Sequence, residues 1–238
     1  MDIMIKEQLK KMKILYIPWH KFRIKLNQHR EMKKKKAYSK YGIDALNIIA
    51  DVLKEEELRF VCTEGTLLGL ARDGRLISWD DDLDFTIMDD GNIPWDKLEK
   101  SLLKKGFWKY REKEKDGKLI SQAYKYKNVH CDFTSWQKGG DTVHICYGCY
   151  EYDNIKYKNG VESLYRVWDI EVPEISNITW KQLDEHYIPM PENYKEILSA
   201  IYGDWKIPNS NYKPNRVERK EYFKFTYFSK NGCVKRYL

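Results

Sequence analysis

Four aspartates lie within five residues near the middle of this chain, in a pattern that favours a β-strand. The segment reads Trp79-Asp80-Asp81-Asp82-Leu83-Asp84-Phe85-Thr86-Ile87. Because the side chains of a strand alternate between its two faces, Asp82 and Asp84 share one face, and Asp80 joins them if the strand extends back that far. The residues that alternate with them are apolar and would face a core: Leu83, Phe85 and Ile87.

Carboxylates packed this closely repel one another unless a cation or water screens them. Hard oxygen ligands on a rigid strand suit Mg²⁺ or Mn²⁺. The start of an EF-hand calcium loop has the same spacing, but that loop needs Gly at its sixth position and Glu at its twelfth, where this chain has Phe85 and Gly91. A solvated acidic turn is the plain alternative, and the interleaved apolar residues argue against it.

A glycine and a threonine precede the acidic segment where a strand gives way to a helix. Residues 59–63 are typical of a short strand, Gly65 permits close approach of the backbone, and a helix is expected from Thr66. Backbone N–H groups at that point and the Thr66 hydroxyl are suited to holding a phosphate. Followed by two aspartates on one face, this pair indicates a phosphate site beside a metal site.

The rest of the chain mixes helix and strand patterns. Apolar residues at helical spacing predict a helix over residues 39–56, with Ser39 as its cap. The Asp116-Gly117 pair predicts a hairpin turn. Pro191 marks the start of a last helix, which ends at Gly203. This order predicts a chain of the α+β or α/β class.

The charge of the chain favours an anionic partner. Its 238 residues carry a net charge of +7, which suits nucleotides, nucleic acids and anionic membrane surfaces alike. The densest basic run is Arg30-Glu31-Met32-Lys33-Lys34-Lys35-Lys36. It is either a solvated linker or a contact with anionic lipid or a polyanionic substrate.

No apolar run approaches the length of a membrane span, and Met1–Lys13 lacks the apolar core of a signal peptide. We therefore expect a cytoplasmic protein with reduced cysteines. Cys146 and Cys149, with His144 nearby, form half of a zinc site. No second close pair of ligands follows, so ordinary thiols of a strand are favoured.

The acidic segment closely resembles the LicD family, the phosphocholine transferases that include the fukutin-related proteins. The family pattern is roughly Gly-Thr-Leu-Leu-Gly, then Arg, then Ile-Pro-Trp-Asp-Asp-Asp-x-Asp. This chain has Gly65-Thr66-Leu67-Leu68-Gly69, Arg72, and Ile77-Ser78-Trp79-Asp80-Asp81-Asp82-Leu83-Asp84. Ser78 stands where the family has proline, which should alter the local backbone rather than the chemistry.

A second match lies near the end of the chain, where Tyr202-Gly203-Asp204-Trp205 resembles the family's closing Tyr-Gly-x-x-Trp with the tryptophan one residue early. The resemblance therefore frames a catalytic domain at residues 39–208. A basic segment at 1–38 precedes this domain, and a basic tail at 209–238 follows it.

The resemblance implies a nucleotidyltransferase fold, which is a small mixed sheet flanked by helices, with the aspartate pair on one strand and a third carboxylate on a neighbouring strand. Asp132 is the best candidate for that third carboxylate, and it would either join Asp82 and Asp84 in holding Mg²⁺ or Mn²⁺ or take the proton of the attacking hydroxyl. Gly65 and Thr66 would hold the phosphate of the donor. Two further residues would assist, Arg72 as a positive charge and Asp80 as a direct or outer ligand.

The implied donor is a CDP-linked alcohol such as CDP-choline, CDP-ribitol or CDP-glycerol. A hydroxyl of a cell-surface glycan, in some cases carried on a lipid at the cytosolic membrane face, would accept the substituted phosphate, and CMP would leave. His130 lies two residues from Asp132 and is close enough in sequence to reach the site. No nucleic-acid partner is expected, and peripheral contact with a membrane would bring the enzyme to a lipid-linked acceptor.

Two other functions fit parts of the sequence. A nucleotide-sugar glycosyltransferase also holds a metal–diphosphate with Asp-x-Asp, but such enzymes generally lack the Gly-Thr-Leu-Leu-Gly segment. A non-catalytic basic module that binds an anionic polymer explains the charge and the lysine run, but not four clustered aspartates. Product analysis separates the first alternative, and binding without metal-dependent turnover would favour the second.

Overall fold

The computed structural model describes residues 13–139, 142–157, 160–209 and 225–237. Four helices lie within these ranges: α1 (Lys13–Glu55), α2 (Glu64–Arg72), α3 (Trp95–Lys104) and α4 (Tyr194–Tyr202). The strands are β1 (Val61–Cys62), β2 (Asp82–Asp89), β3 (Trp108–Lys115), β4 (Lys118–Tyr126), β5 (Val129–Gly139), β6 (Thr142–Tyr157), β7 (Gly160–Val172), β8 (Ile178–Leu183), β9 (His186–Pro191) and β10 (Phe225–Tyr237).

Eight of these strands form one mixed sheet in the order β1-β2-β5-β4-β3-β10-β7-β6. Strands β2 and β5 are parallel, whereas the other neighbours in this order are antiparallel. Strand β6 also pairs with the end of β5, and β8 and β9 form a separate hairpin. With helices α1 and α2 packed against β2, the expected mixed sheet flanked by helices is present.

The pairing register divides the central strands into an apolar face and a polar face. Phe85 lies beside Phe133, and Leu83 beside Cys131; all four side chains are fully buried. Because alternate residues face opposite sides, the neighbours Asp82 and Asp84 face away from this core. Helix α1 supplies much of the packing around the apolar face through Ala45, Leu46, Ile49 and Leu53.

Helix α1 is much longer than the sequence pattern predicts. It runs without interruption from Lys13 to Glu55, so the prediction that a helix begins at Ser39 with that residue as its cap is wrong. The lysine run therefore lies on a helix and is not a linker. The part of α1 before Ser39 was not predicted from apolar periodicity, because the side chains from 24 to 33 are exposed and form no buried apolar stripe.

The predicted hairpin turn and the end of the last helix agree with the structure, but that helix begins at Tyr194, and Pro191 is instead the last residue of β9. The hairpin turns at Asp116 and Gly117, between β3 and β4, and Gly203 ends α4 with a positive φ of 69°. Residues 151–188, whose scattered apolar residues show no steady period in the sequence, contain the end of β6, then β7, β8 and the start of β9. The basic tail contributes strand β10 to the main sheet, while the domain boundaries at 38 and 208 stay predictions.

Some expectations concern parts of the chain outside this description. Residues 1–12 and 210–224 are among them, as are the side chains of Cys146 and Cys149, so the zinc question stays a prediction. Cys62 and Cys131 are buried free thiols. Within the described ranges, no helix combines the length and the apolar character that crossing a bilayer requires.

Candidate active site

Three carboxylates meet on the polar face of the sheet where β2 and β5 lie side by side. Asp84 is the direct register partner of Asp132, and Asp82 lies two residues before Asp84 on the same face. One carboxylate oxygen from each of the three lies within 4.8 Å of the others. Asp80, Asp81 and Asp82 form a second group with the same spacing. The geometry thus brings together the three residues that the sequence nominated as metal ligands.

Burial and mutual repulsion raise the pKa of both aspartates on β2. For Asp82, desolvation is the main cause and the charge of Asp132 follows; for Asp84, desolvation comes first and the charge of Asp82 second. Burial likewise raises the pKa of Asp80 to about 6. Carboxylates held together at this cost in charge repulsion would be stabilised by a cation.

Asp132 differs from its two neighbours because it has a cationic partner. Burial is the largest single influence and acts to raise its pKa, but the charges of Arg111 and Lys113 together with the hydrogen bond from Arg111 outweigh it, and the net pKa is lowered. The Arg111 guanidinium donates to the Asp132 carboxylate. It reaches across β4 because the residue between them in the register is the small Ala123. Sequence inspection could not identify Arg111, since its proximity depends on this three-strand register.

A β-bulge adds a tyrosine to the same face. The register between β3 and β4 shifts between Lys109 and Arg111, which makes Tyr110 the extra residue. The Tyr110 hydroxyl lies 3.4 Å from Asp132 Oδ1 and 3.0 Å from His130 Nδ1. Burial and the nearby lysines, Lys34 and Lys125, lower the pKa of His130 to about 4, so its imidazole is neutral at pH 7. His130 is therefore at the site, as the sequence suggested.

Helix α2 positions the aspartate strand through its first turn. The buried Thr66 hydroxyl accepts the backbone N–H of Asp84 at 2.9 Å, and the Thr63 N–H donates to the Asp84 carbonyl at 3.0 Å. The helix begins at Glu64 rather than at Thr66, where the sequence placed its start. Thr66 thus anchors β2 in this structure, whereas the phosphate contact expected of it stays a prediction.

The two glycines of the Gly-Thr-Leu-Leu-Gly segment each leave room for a specific neighbour. A Cβ at Gly65 would lie 2.1 Å from Asp80 Oδ2, and a Cβ at Gly69 would lie 2.6 Å from the carbonyl oxygen of Arg75. Gly65 therefore admits the Asp80 carboxylate, whose Oδ1 accepts the Asp81 N–H at 3.0 Å. Gly69 admits the backbone of the loop that leads into β2.

Arg72 is the last residue of α2 and is bound to residues of this loop. Its guanidinium makes two hydrogen bonds to Asp73, at 2.8 and 2.7 Å, and lies 5.9 Å from the ring centre of Trp79. The contact with Asp73 raises the pKa of Arg72 despite partial burial. The contact between Arg72 and a donor phosphate stays a prediction. In that contact, the guanidinium would bind the phosphate and Asp73 together.

Helix α1 contributes two side chains that the sequence did not nominate. Lys34 Nζ lies 3.5 Å from Asp81 Oδ2. One turn later, Tyr38 is 3% exposed, and its hydroxyl has no hydrogen-bond partner. Burial and the charges of the aspartates, Asp80 first, raise the pKa of Tyr38. The spacing of four residues would have identified this pair if the helix had been extended back through the lysine run.

Glu64 was also missed by the sequence analysis, although it directly precedes Gly65. Its charge raises the pKa of both Asp80 and Asp84, and its backbone has a positive φ of 49°, which is strained for a residue with a Cβ. An acidic residue in a strained conformation at the start of a helix is a feature that functional sites tolerate.

The donor set fits a hard divalent cation. Three carboxylates offer oxygens at mutual distances that one ion can span, and their charges are only partly offset by Arg111. The orphaned hydroxyl of Tyr38 adds a buried polar atom that needs a partner. These features are typical of residues that would hold a magnesium or manganese ion.

The comparisons with known proteins agree with this geometry. A family model described as LicD/FKTN/FKRP, nucleotidyltransferase domain, matches residues 57–193. This range covers more than half of the chain and includes every strand and loop of the site, but not helix α1 with Lys34 and Tyr38. No match was found among the curated proteins.

Proposed function

The chain belongs to the LicD family, and from that premise we propose that it is a metal-dependent transferase that moves a substituted phosphate from a CDP-linked alcohol to a sugar hydroxyl. The observation that carries this proposal is the convergence of Asp82, Asp84 and Asp132 within 4.8 Å, beside the helix that starts the family motif. The donor alcohol would be of the choline, ribitol or glycerol type, and the acceptor would be a cell-surface glycan.

Each side chain of the site has a role in this proposal. Asp82, Asp84 and Asp132 would hold the magnesium or manganese ion, with Asp80 as an outer or additional ligand. When bound, this ion supplies positive charge for the diphosphate and for the leaving oxygen. Gly65, Thr66 and Arg72 would bind the phosphates of the donor.

The reaction is an in-line displacement at the distal phosphorus of the donor. The acceptor oxygen forms a bond to this phosphorus, the bond to the bridging oxygen breaks, and CMP leaves with the electron pair. The hydroxyl proton passes to solvent. We assign Asp132 to metal binding and not to proton removal, because its lowered pKa makes it a weak base.

We also propose that the exposed first half of α1 contacts an anionic membrane surface, where a lipid-linked acceptor would lie. Arg30, Lys33 and Lys36 are exposed, and each cation near an anionic leaflet contributes about 1 kcal/mol of binding. The exposed Phe22 and Met32 add apolar contact area. We propose a cytoplasmic protein without a nucleic-acid partner.

Turnover can be tested with the full chain and a panel of CDP-choline, CDP-ribitol and CDP-glycerol. CMP release should require Mg²⁺ or Mn²⁺, stop with a chelator, and increase when a glycan acceptor is added. Phosphorus NMR of the product should show a phosphodiester. A product that carries a bare sugar, made from a nucleotide sugar, would instead identify a glycosyltransferase, and binding without turnover would contradict both enzymes.

A further inference from the structure

A row of side chains extends from the carboxylates across the polar face of the sheet. The register places Asp82 beside His130, and His130 beside Lys125. Lys125 in turn lies beside Trp108 at the start of β3. Directly opposed residues of neighbouring strands face the same side, so the row crosses four strands on one face. It leads away from helix α2, which packs on β2.

The far end of this row is an aromatic surface with a cation at its centre. The rings of Trp108 and Tyr110 meet edge to face, with centres 5.9 Å apart. Lys125 Nζ lies 4.7 Å from the centre of the Trp108 ring and 4.6 Å from that of Tyr110. Trp108 is 45% exposed, so one side of this large ring can receive a ligand. We call these three residues the aromatic platform.

Positive charge accumulates at the aromatic platform. Burial, followed by the charges of the cations Lys34 and Arg111, lowers the pKa of Lys125. Lys34 reaches toward Asp81 at 3.5 Å, and Arg111 is bound to Asp132. Lys125, by contrast, rests on the two rings. A ligand with a negative charge would relieve the repulsion among these cations.

The position of the aromatic platform relative to the donor follows from the chemistry. In an in-line displacement, the attacking and leaving oxygens lie on opposite sides of phosphorus. The donor phosphates are assigned to helix α2, on the β2 side of the carboxylates. Strands β4 and β3 lie on the other side, beyond β5. An acceptor therefore has the aromatic platform as its approach surface.

We propose that Trp108, Tyr110 and Lys125 form the acceptor subsite, which binds the ring of a sugar that bears a phosphate or carboxylate group. This inference rests on the proposed function and adds the chemical class of the acceptor. The sugar ring stacks on Trp108, its anionic group binds Lys125, and the reacting hydroxyl points along the row toward Asp82 and the other carboxylates. Trp108 and Lys125 lie within the residues matched by the family model, whereas Lys34 is a feature of this chain outside that match.

Binding measurements on the full chain test the subsite without requiring turnover. The probes are glucose 6-phosphate, glucose and CMP, measured by saturation-transfer NMR and titration calorimetry. Wild-type protein should bind glucose 6-phosphate more tightly than glucose. Trp108→Ala should weaken glucose 6-phosphate binding at least about 5-fold, whereas Trp108→Phe should retain most of it. Lys125→Gln should weaken the phosphate probe by a similar factor and leave glucose unchanged.

Matched controls come from other surfaces of the chain. Trp180 is 38% exposed on the separate β8–β9 hairpin, and Lys100 is exposed on α3. Trp180→Ala and Lys100→Gln should leave all three probes unchanged. CMP binding should stay within about 2-fold of wild type in every variant, because the donor is assigned to the other side of the carboxylates.

Each outcome decides between distinct conclusions. Loss of CMP binding in Trp108→Ala, with glucose 6-phosphate unaffected, would place the donor base on this surface and overturn the proposal. Unchanged binding of both CMP and glucose 6-phosphate in Trp108→Ala would also overturn it. If no CDP-alcohol yields CMP while sugar-phosphate binding depends on Trp108 and Lys125, then the proposed function fails and the sugar-phosphate site stands on its own.

Discussion

Strands β2 and β5 present two faces with opposite requirements, although one backbone supports both. On the apolar face, Phe85 stacks on Phe133 with ring centres 5.0 Å apart, and both are fully buried. On the polar face, Asp84 and Asp132 lie at the adjacent register position. The apolar face gains stability from burial alone, whereas the polar face gathers charges that repel one another until a cation binds.

This contrast shows where the chain gives up stability for chemistry. Charged groups tolerate burial when they are paired, and Asp132 is paired with Arg111, but Asp82 and Asp84 have raised pKa values from burial and neighbouring carboxylates. Substitutions on the polar face should therefore remove activity and spare the fold. Substitutions on the apolar face should do the reverse.

The largest effect should come from the carboxylates. We predict that Asp82→Asn and Asp84→Asn each lower metal-dependent CMP release at least about 1,000-fold, because a lost ligand charge weakens transition-state stabilisation by several kcal/mol. Asp132→Ala should lower turnover comparably. Thermal unfolding of both Asn variants in a chelator should occur at or above the wild-type Tm, because one repelling charge is gone. Near-normal turnover at saturating magnesium would contradict the site.

A core substitution on the opposite face should reverse this pattern. Phe133→Ala removes a ring that also meets Phe60 and Tyr124 edge to face, at 5.4 and 5.8 Å. We predict that it lowers the free energy of unfolding by about 3–5 kcal/mol. Below its Tm, turnover per folded molecule should stay within a few-fold of wild type. A loss of turnover in fully folded protein would show that the two faces are not separable.

The glycines of helix α2 divide these two kinds of effect within one motif. Gly69→Ala should destabilise the protein by about 1–3 kcal/mol, because its Cβ would meet the rigid backbone of the loop at Arg75. Gly65→Ala meets only the end of the Asp80 side chain, and alanine favours a helix by about 1 kcal/mol over glycine. We therefore expect Gly65→Ala to keep its stability and lose turnover about 10-fold. Denaturant unfolding and CMP release measure both quantities.

How far the sequence predicted this arrangement depends on the range of the interactions involved. The carboxylate row on β2 followed from a period of two, whereas Asp132 was nominated from the family resemblance, as the third carboxylate on a neighbouring strand. Arg111 was not found, because its contact with Asp132 requires the register of three strands and a small residue at Ala123. Tyr110 depends on a β-bulge that no local pattern announced.

Helix α1 illustrates a different limit. Helix prediction from apolar spacing needs a buried stripe, and the lysine run has none. The helix was therefore predicted to begin at Ser39, one residue after Tyr38. Lys34 and Tyr38, the two side chains that face the carboxylates, were left in the basic segment before it. The error concerned a boundary, and it concealed two residues of the site.

The pH dependence of stability offers a smaller effect that tests the polar face alone. A carboxyl group whose pKa is raised in the folded state stabilises the fold fully below its unfolded pKa, and this contribution is lost as the pH rises through the folded pKa. For Asp80 the loss spans the range from about 4 to about 6. The lowered pKa of His130 affects the pH dependence of stability in the opposite sense. Because both the wild type and an Asp80 variant contain His130, a comparison of the two proteins isolates the contribution of Asp80.

We therefore predict that, in a chelator, the Tm of the wild type falls by a few degrees relative to that of Asp80→Asn as the pH rises from 4 to 6. Saturating magnesium should remove most of this difference, because it favours the ionised carboxylates. Scanning calorimetry at several pH values makes the measurement. If the Tm values of the two proteins changed with pH in parallel, the pKa of Asp80 would not be raised in the folded protein as we infer.

The last comparison concerns the lysine run, which the structure divides between two surfaces. Lys34 faces Asp81, whereas Lys33 and Lys36 are exposed. If the whole run served only to contact a membrane, replacing its four lysines by glutamine would abolish vesicle binding and leave activity on a soluble acceptor intact. The position of Lys34 changes the second part of that expectation. We predict that Lys33→Gln with Lys36→Gln weakens low-salt binding to anionic vesicles about 30-fold, from about 1 kcal/mol per charge, with turnover unchanged. Lys34→Gln should lower turnover a few-fold and leave vesicle binding nearly intact.

Co-sedimentation and CMP release, measured on the same preparations, check this division between the two surfaces. If the two variants behaved alike in both assays, the division would be wrong. If the wild type did not bind vesicles at low salt, the membrane proposal would fail, and the turnover assay alone would decide the role of Lys34.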